Sequence, residues 1–121
     1  VADFNHDGRP DLAVSQNGAQ SKLFVYQSKN RGLRITLKGS EENQAAIGAQ
    51  LRLQNADGNG PTREIHSGAG WLSVDSPTQV LTPLLGETKL WVRWPDGKET
   101  QTPLPSGNSS FTVDKAGNII P

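Results

Sequence analysis

The sequence predicts an all-β protein, either an antiparallel sandwich or a barrel-like domain, with a short hairpin at the N-terminal end. Thirteen glycines and eight prolines among 121 residues indicate frequent turns, which favours short strands over helices. Apolar and polar residues alternate in several short runs, as they do in strands that bury one face. A chain of this length can build one modest core.

Five runs carry the alternation, and they predict the main strands. In the second run Leu33, Ile35 and Leu37 are expected to face the core, while Arg34 and Lys38 face water. The runs are KLFVYQ (22–27), LRITLKG (33–39), AQLRLQN (49–55), TKLWVRW (88–94) and SFTVD (110–114). The predicted core consists of Leu33, Ile35, Leu37, Leu51, Leu53, Leu90, Val92, Trp94, Phe111 and Val113.

Turn signals lie between and beside these runs, and they predict hairpin connections. Each supplies Gly, Asn or Asp, the residues that most easily adopt a positive φ. The signals are QNG (16–18), NADGNG (55–60), WPDG (94–97) and KAGN (115–118).

Composition excludes several classes of function. The formal net charge is zero, so there is no electrostatic argument for a nucleic-acid partner. No apolar run approaches the roughly 20 residues needed to insert across a membrane. Without cysteine the chain has no disulfide, zinc thiolate site or thiol nucleophile. No acid and base share a recognisable catalytic spacing, so the sequence predicts a protein that is not an enzyme.

The segment with the pattern most typical of a functional site is DFNHDGRPD at residues 3–11. Acidic or amide side chains recur there at every second position before a glycine. Calcium prefers about six to eight oxygen ligands, and such a loop can supply several of them. The expected ligands are the side chains of Asp3, Asn5, Asp7 and Asp11 and the carbonyl of Arg9. Three carboxylates so close together would repel one another without a cation. The alternative is an Asx turn with solvated acids.

This loop does not have the spacing of an EF-hand, because the twelfth loop position is the apolar Val14. VADFNHDGRPDLAV instead resembles the calcium loop of the FG-GAP or VCBS repeat, the blade unit of integrin-type propellers. The resemblance implies the same ligands for Ca²⁺: Asp3, Asn5, Asp7, Arg9 and Asp11. It covers residues 1–30, which is one partial propeller blade. Its hairpin leaves unpaired strand edges, which predicts docking on the rest of the chain or strand-mediated self-association.

Residues 31–121 resemble the ASPIC/UnbV domain, which follows FG-GAP repeats in secreted and surface proteins. The motifs that carry the resemblance are LRITLKG, AIGAQLRL, REIHSGAGWLSVDSP and LWVRWPDGKETQ, in that order. The sequence departs from the family at TQVLTPLLGETKLW, where a HFGLG run is usual. The resemblance implies an adhesion or ligand-binding module that is extracellular, at the cell surface or periplasmic, with a protein or glycan ligand and no catalytic activity.

A second hypothesis is a carbohydrate-binding accessory module of a secreted enzyme. It depends on Trp71, Trp91 and Arg93, because exposed indole rings can stack on sugars. Alternation places Trp91 and Arg93 on the face opposite to Leu90 and Val92. If that face is open to solvent, the three residues form a candidate recognition patch. The alternative is that another part of the chain covers this face.

Overall fold

The structure is a computed structural model that describes residues 1–27, 29, 31–68, 70, 74–86 and 88–121. These residues form β-strands and no helix, and hence no helix long and apolar enough to cross a membrane. The strands are β1 Leu12–Gln16, β2 Ala19–Phe24, β3 Leu33–Lys38, β4 Gln50–Asn55, β5 Gly58–Asn59, β6 Arg63–Glu64, β7 Gln79–Leu81, β8 Thr88–Arg93, β9 Glu99–Leu104, β10 Ser110–Asp114 and β11 Ile119–Ile120. The predicted all-β class is confirmed.

Two sheets share one apolar core. The first sheet has the strand order β11-β10-β3-β7, and the second has the order β5-β4-β8-β9 with β6 also paired to β4. Neither described sheet closes into a barrel, which fits the sandwich alternative. All ten predicted core residues contribute: Leu33 is partly buried against the core, and the other nine are buried in it. The core also contains Ala46, Ala49, Ile65 and Leu81, which the strand pattern did not predict.

The order of strands in the first sheet results from a crossover. The chain leaves β3, builds all the described strands of the second sheet, adds β7 to the first sheet on the way, and returns as β10, which pairs with β3 in parallel. A parallel pair needs a long connection of this kind. The other pairings among the described strands are antiparallel. β3 therefore lies inside its sheet between β10 and β7, with Ile35 and Leu37 buried.

Strand β9 was not predicted, because its sequence ETQTPL lacks apolar alternation. It pairs with β8 over its whole length and lies at the edge of the second sheet. Its buried side chain is Thr102, whose hydroxyl donates to the carbonyl oxygen of Gly117 at 2.7 Å. The edge position also explains why the strand tolerates Pro103, since an outward-facing edge needs no amide donor there.

The N-terminal hairpin stands apart from the core. β1 and β2 form a separate two-stranded sheet in the described part of the chain, and most of their side chains are exposed. Leu23 and Phe24 are 55% and 54% exposed, so the hairpin presents apolar surface to solvent. In the described part of the chain, the segment before the hairpin contacts the sandwich through Val1, Asp3 and Gly8. Self-association of the hairpin stays a prediction.

Candidate functional site

Asp3 closes the turn of the acidic loop, residues 3–11. Its side chain is only 2% exposed. Its Oδ1 accepts a hydrogen bond from the Asp7 amide at 3.0 Å, and its Oδ2 accepts one from the Gly8 amide at 2.9 Å. Gly8 has a φ of 80°, and a Cβ there would lie 3.0 Å from the carbonyl oxygen of Gly32. The bend that was expected at this glycine is therefore present, and a side chain there would be strained.

Asp11 joins the end of the acidic loop to the beginning of that loop and to the segment after β2. It is 2% exposed, and its carboxylate accepts hydrogen bonds from the amides of Phe4 at 2.9 Å and Tyr26 at 3.0 Å. Its own amide donates to the carbonyl oxygen of Ala2 at 2.7 Å. Asp11 therefore joins the start of the loop to the segment that follows β2, and it has a structural role whether or not a metal binds.

Asn5 and Asp7 form the more open side of the loop. The Asn5 side-chain amide donates to Asp7 Oδ2 at 2.9 Å, and Asn5 Oδ1 accepts from the Asp7 amide at 3.2 Å. Arg9 Nη1 lies 3.6 Å from Asp7 Oδ2. Asp7 Oδ1 is enclosed and has no hydrogen-bond partner among the described residues. A buried acceptor in this state is uncommon and calls for an explanation, such as an ion.

The residues of the loop fit calcium in type and in charge, because the loop offers carboxylate and amide oxygens and Asp7 Oδ1 still lacks a partner. The carboxylates of Asp3 and Asp11, however, already accept backbone amides. No group of three or more His, Cys, Asp or Glu side chains in the described ranges is arranged to hold a metal ion. The predicted ligands lie together in one loop without forming a complete ligand set, so calcium binding stays a prediction.

Arg34, at the start of β3, is the residue of this site that the sequence did not predict. It was expected to face water, but its Nε lies 3.2 Å from Asp3 Oδ2, and its Nη1 lies 2.6 Å from His6 Nδ1. The Nε contact is an ion pair by distance, although the N–H group is not aligned for a hydrogen bond. Nearby, the Gly32 amide donates to the carbonyl oxygen of Gly8 at 2.7 Å. The acidic loop therefore covers the outward face of β3 at the start of the strand, around Arg34.

The candidate aromatic patch is less open than the second hypothesis requires. Trp91 does lie on the face opposite to the core, but it is only 9% exposed. The Arg52 guanidinium lies 4.4 Å from the centre of its ring, and its Nε1 donates to Glu99 at 3.0 Å. Arg93 is exposed on the same face. Trp71 lies outside the described residues, so a patch that includes it stays a prediction.

Fold and site together define a two-sheet β module with an acidic loop docked on one of its strands. The family model described as ASPIC and UnbV matches residues 39–119. The chain belongs to the ASPIC and UnbV family. The match begins after β3, although β3 contributes buried residues to the same core. No match was found among curated proteins or among solved structures.

Proposed function

We propose that this chain is a non-enzymatic, extracellular adhesion or ligand-binding module that holds calcium in its acidic loop. In this proposal, residues 1–30 are the end of an FG-GAP or VCBS repeat, and residues 31–121 are the ASPIC/UnbV domain. The family match supports the arrangement, because ASPIC/UnbV domains are typically associated with FG-GAP repeat proteins. The ligand of the module is a protein or a glycan at the cell surface.

The observation that carries the proposal is the contact between the acidic loop and the sandwich. The ion pair of Arg34 with Asp3 and the backbone hydrogen bond from Gly32 to Gly8 join the loop to the start of β3. A second contact comes from the segment before β7, where the Ser76 amide donates to the carbonyl oxygen of Val1 at 3.0 Å. Because the loop is fastened in this way, an ion in it would stabilise the junction between the repeat and the domain.

The residues that would hold the ion are the side chains of Asp3, Asn5, Asp7 and Asp11 and the carbonyl of Arg9. Bound calcium would neutralise the carboxylates and satisfy Asp7 Oδ1. An ion that binds only the folded chain stabilises it by roughly 2.7 kcal/mol at one hundred times Kd. Magnesium is expected to bind less well, because it requires a stricter octahedral geometry.

Calorimetric titration with calcium and with magnesium tests this proposal. Asp7→Asn is the informative variant, because it keeps the size of the side chain while removing its charge. Glu41→Gln, at an exposed acid outside the loop, is the matched control. We expect calcium binding in the wild type and in the control, and weaker or no binding in Asp7→Asn. Equal heats of calcium binding from all three proteins would contradict the proposal and would mean that the loop is only a polar turn.

The second hypothesis, sugar stacking on indole rings, gains little support at Trp91. A sugar could reach the face of that ring only if the Arg52 guanidinium moved away from it.

The proposed order of a repeat followed by the ASPIC/UnbV domain has a separate test in the full-length sequence. We expect further acidic loops of the same spacing upstream, and a full-length chain without them would contradict the repeat assignment.

A further inference from the structure

A polar groove lies on the outer face of the second sheet, remote in sequence from the acidic loop. Its floor is a row of side chains that are paired across strands: Asn59 of β5 is opposite Gln54 of β4, and Gln54 is opposite Lys89 of β8. The core residues Leu53 and Leu90 point the other way, toward the first sheet. The groove has a volume of about 640 Å³, within the ~300 to 1,000 Å³ typical of small-molecule sites.

One wall of the groove is held in place by Asn55. Its Oδ1 accepts hydrogen bonds from the amides of Asp57 and Gly58 at 3.0 and 2.9 Å, which fixes the turn between β4 and β5. Its Nδ2 donates to the carbonyl oxygen of Leu85 at 2.8 Å. These bonds hold the turn and the segment before β8 together on one side of the floor. The wall is therefore built by the fold, and it does not depend on a ligand.

The other amide side chains of the groove have no such structural task. Gln54, Asn59 and Gln101 line the groove, and no side-chain hydrogen bond within the described ranges engages them. Each amide has both donor and acceptor groups. They are thus free to bind a ligand without breaking contacts that stabilise the fold.

The composition of the lining selects the class of ligand. A hydroxyl group both donates and accepts, as an amide does, so amide-rich walls suit a ligand rich in hydroxyl groups. Among the lining residues that the structure describes, one cation, Lys89, and one anion, Asp57, balance in charge, which favours a neutral ligand over an anionic one. Leu85 is 89% exposed and offers one apolar surface beside the polar groups. No aromatic ring lines the described groove, so hydrogen bonding would replace stacking.

We propose that this groove binds a neutral oligosaccharide through the side-chain amides of Gln54, Asn59 and Gln101. The proposal rests on the proposed role of the chain as a binding module and names the class of its ligand. It does not require calcium, because none of the groove residues belongs to the acidic loop. It also moves the sugar site away from the ring of Trp91. Gln54 and Lys89 are paired with each other and not with Trp91, and Gln101 is the groove amide that is paired with Trp91.

The first test is an array of neutral and acidic oligosaccharides, probed with the full chain. We expect binding to neutral glycans built from glucose, galactose or N-acetylglucosamine. Calorimetry with the strongest neutral binder then compares the wild type with the double variant Gln54→Ala/Gln101→Ala. The matched control is Gln20→Ala, an exposed glutamine on β2. The expected result is at least a tenfold increase in Kd for the double variant and no change for the control.

Three results would overturn the inference. They are an array with no neutral glycan above background, binding restricted to acidic glycans, and sugar binding that the double variant leaves unchanged. Sugar titration of Asp7→Asn separates this inference from the calcium proposal. Sugar binding that survives in Asp7→Asn and is lost in the groove variant supports the groove alone. The reverse pattern assigns the sugar to the acidic loop and refutes the groove.

Discussion

Replacing Arg34 with methionine tests whether an ion pair holds the acidic loop on the sandwich. Methionine keeps much of the length of the side chain and removes its charge. Asp3 would then remain 2% exposed without its cation, although it would keep its two backbone hydrogen bonds. Breaking a fully buried pair costs about 3 to 5 kcal/mol. The Arg34 side chain is 19% exposed and Asp3 stays hydrogen-bonded, so we expect a smaller loss, about 1 to 3 kcal/mol.

Urea unfolding followed by tryptophan fluorescence measures this loss. Arg93→Met is the matched control, since it removes an exposed cation from β8 and is expected to change the free energy of unfolding by no more than about 0.5 kcal/mol. A loss in Arg34→Met as small as that of the control would refute the reasoning, because the ion pair would then contribute nothing to docking the loop.

Calcium gives the same variant a second readout. Arg34 already supplies a positive charge to Asp3, so its removal leaves a carboxylate that an added cation would neutralise. If the loop binds calcium, calcium should raise the melting temperature of Arg34→Met more than that of the wild type. Equal calcium shifts in the two proteins would show that the guanidinium and the ion do not act on the same charge.

Three further predictions concern the core, the hairpin and a turn. Leu53→Ala should lower the free energy of unfolding by about 2 to 5 kcal/mol in urea titrations, because its side chain is 2% exposed; a loss below about 1 kcal/mol would contradict this packing. Phe24→Lys should reduce any concentration-dependent self-association in sedimentation velocity, and an unchanged profile would exclude the hairpin as the contact. A hydrogen bond from the Asn118 amide lowers the pKa of Asp114, so its stabilisation should be present above the ordinary pKa of about 3.9 and lost as the pH falls from there through the lowered pKa of the folded chain. The gap in stability between wild type and Asp114→Ala should therefore shrink in urea titrations from pH 7 to pH 3, and a constant gap would contradict the assignment.

The sequence predicts those parts of the fold that are set by local patterning. Strict alternation in β3, β4, β8 and β10 places the buried residues on the correct face, as Ile35 and Leu51 illustrate. β9 could not be predicted from the sequence pattern. Its conformation depends on backbone pairing with β8 and not on apolar side chains of its own. The parallel pairing of β3 with β10 joins residues far apart in the chain, such as Ile35 and Phe111, and no local pattern encodes it.

The contacts of the candidate site also divide into some that the sequence predicts and others that it does not. The spacing of Asp3, Asn5 and Asp7 predicts that they share one tight loop, and the structure places them in one. The sequence could not predict that Arg34 reaches the loop, because an outward-facing arginine on a strand looks the same whether water or another segment covers it. It also could not predict that Arg52 covers Trp91, since that contact depends on the register between β4 and β8.

The charges of the acidic loop determine which residue best reports a bound ion. The sequence argument for calcium was that three carboxylates would repel one another unless a cation lay among them. In the structure, backbone amides bind the carboxylates of Asp3 and Asp11, and Arg34 adds a positive charge beside Asp3. Replacing either of those two acids would disturb the backbone of the loop with or without an ion. Asp7 differs, because its Oδ1 is enclosed and lacks a partner in the described structure. An effect of calcium that disappears in Asp7→Asn therefore reports the ion itself.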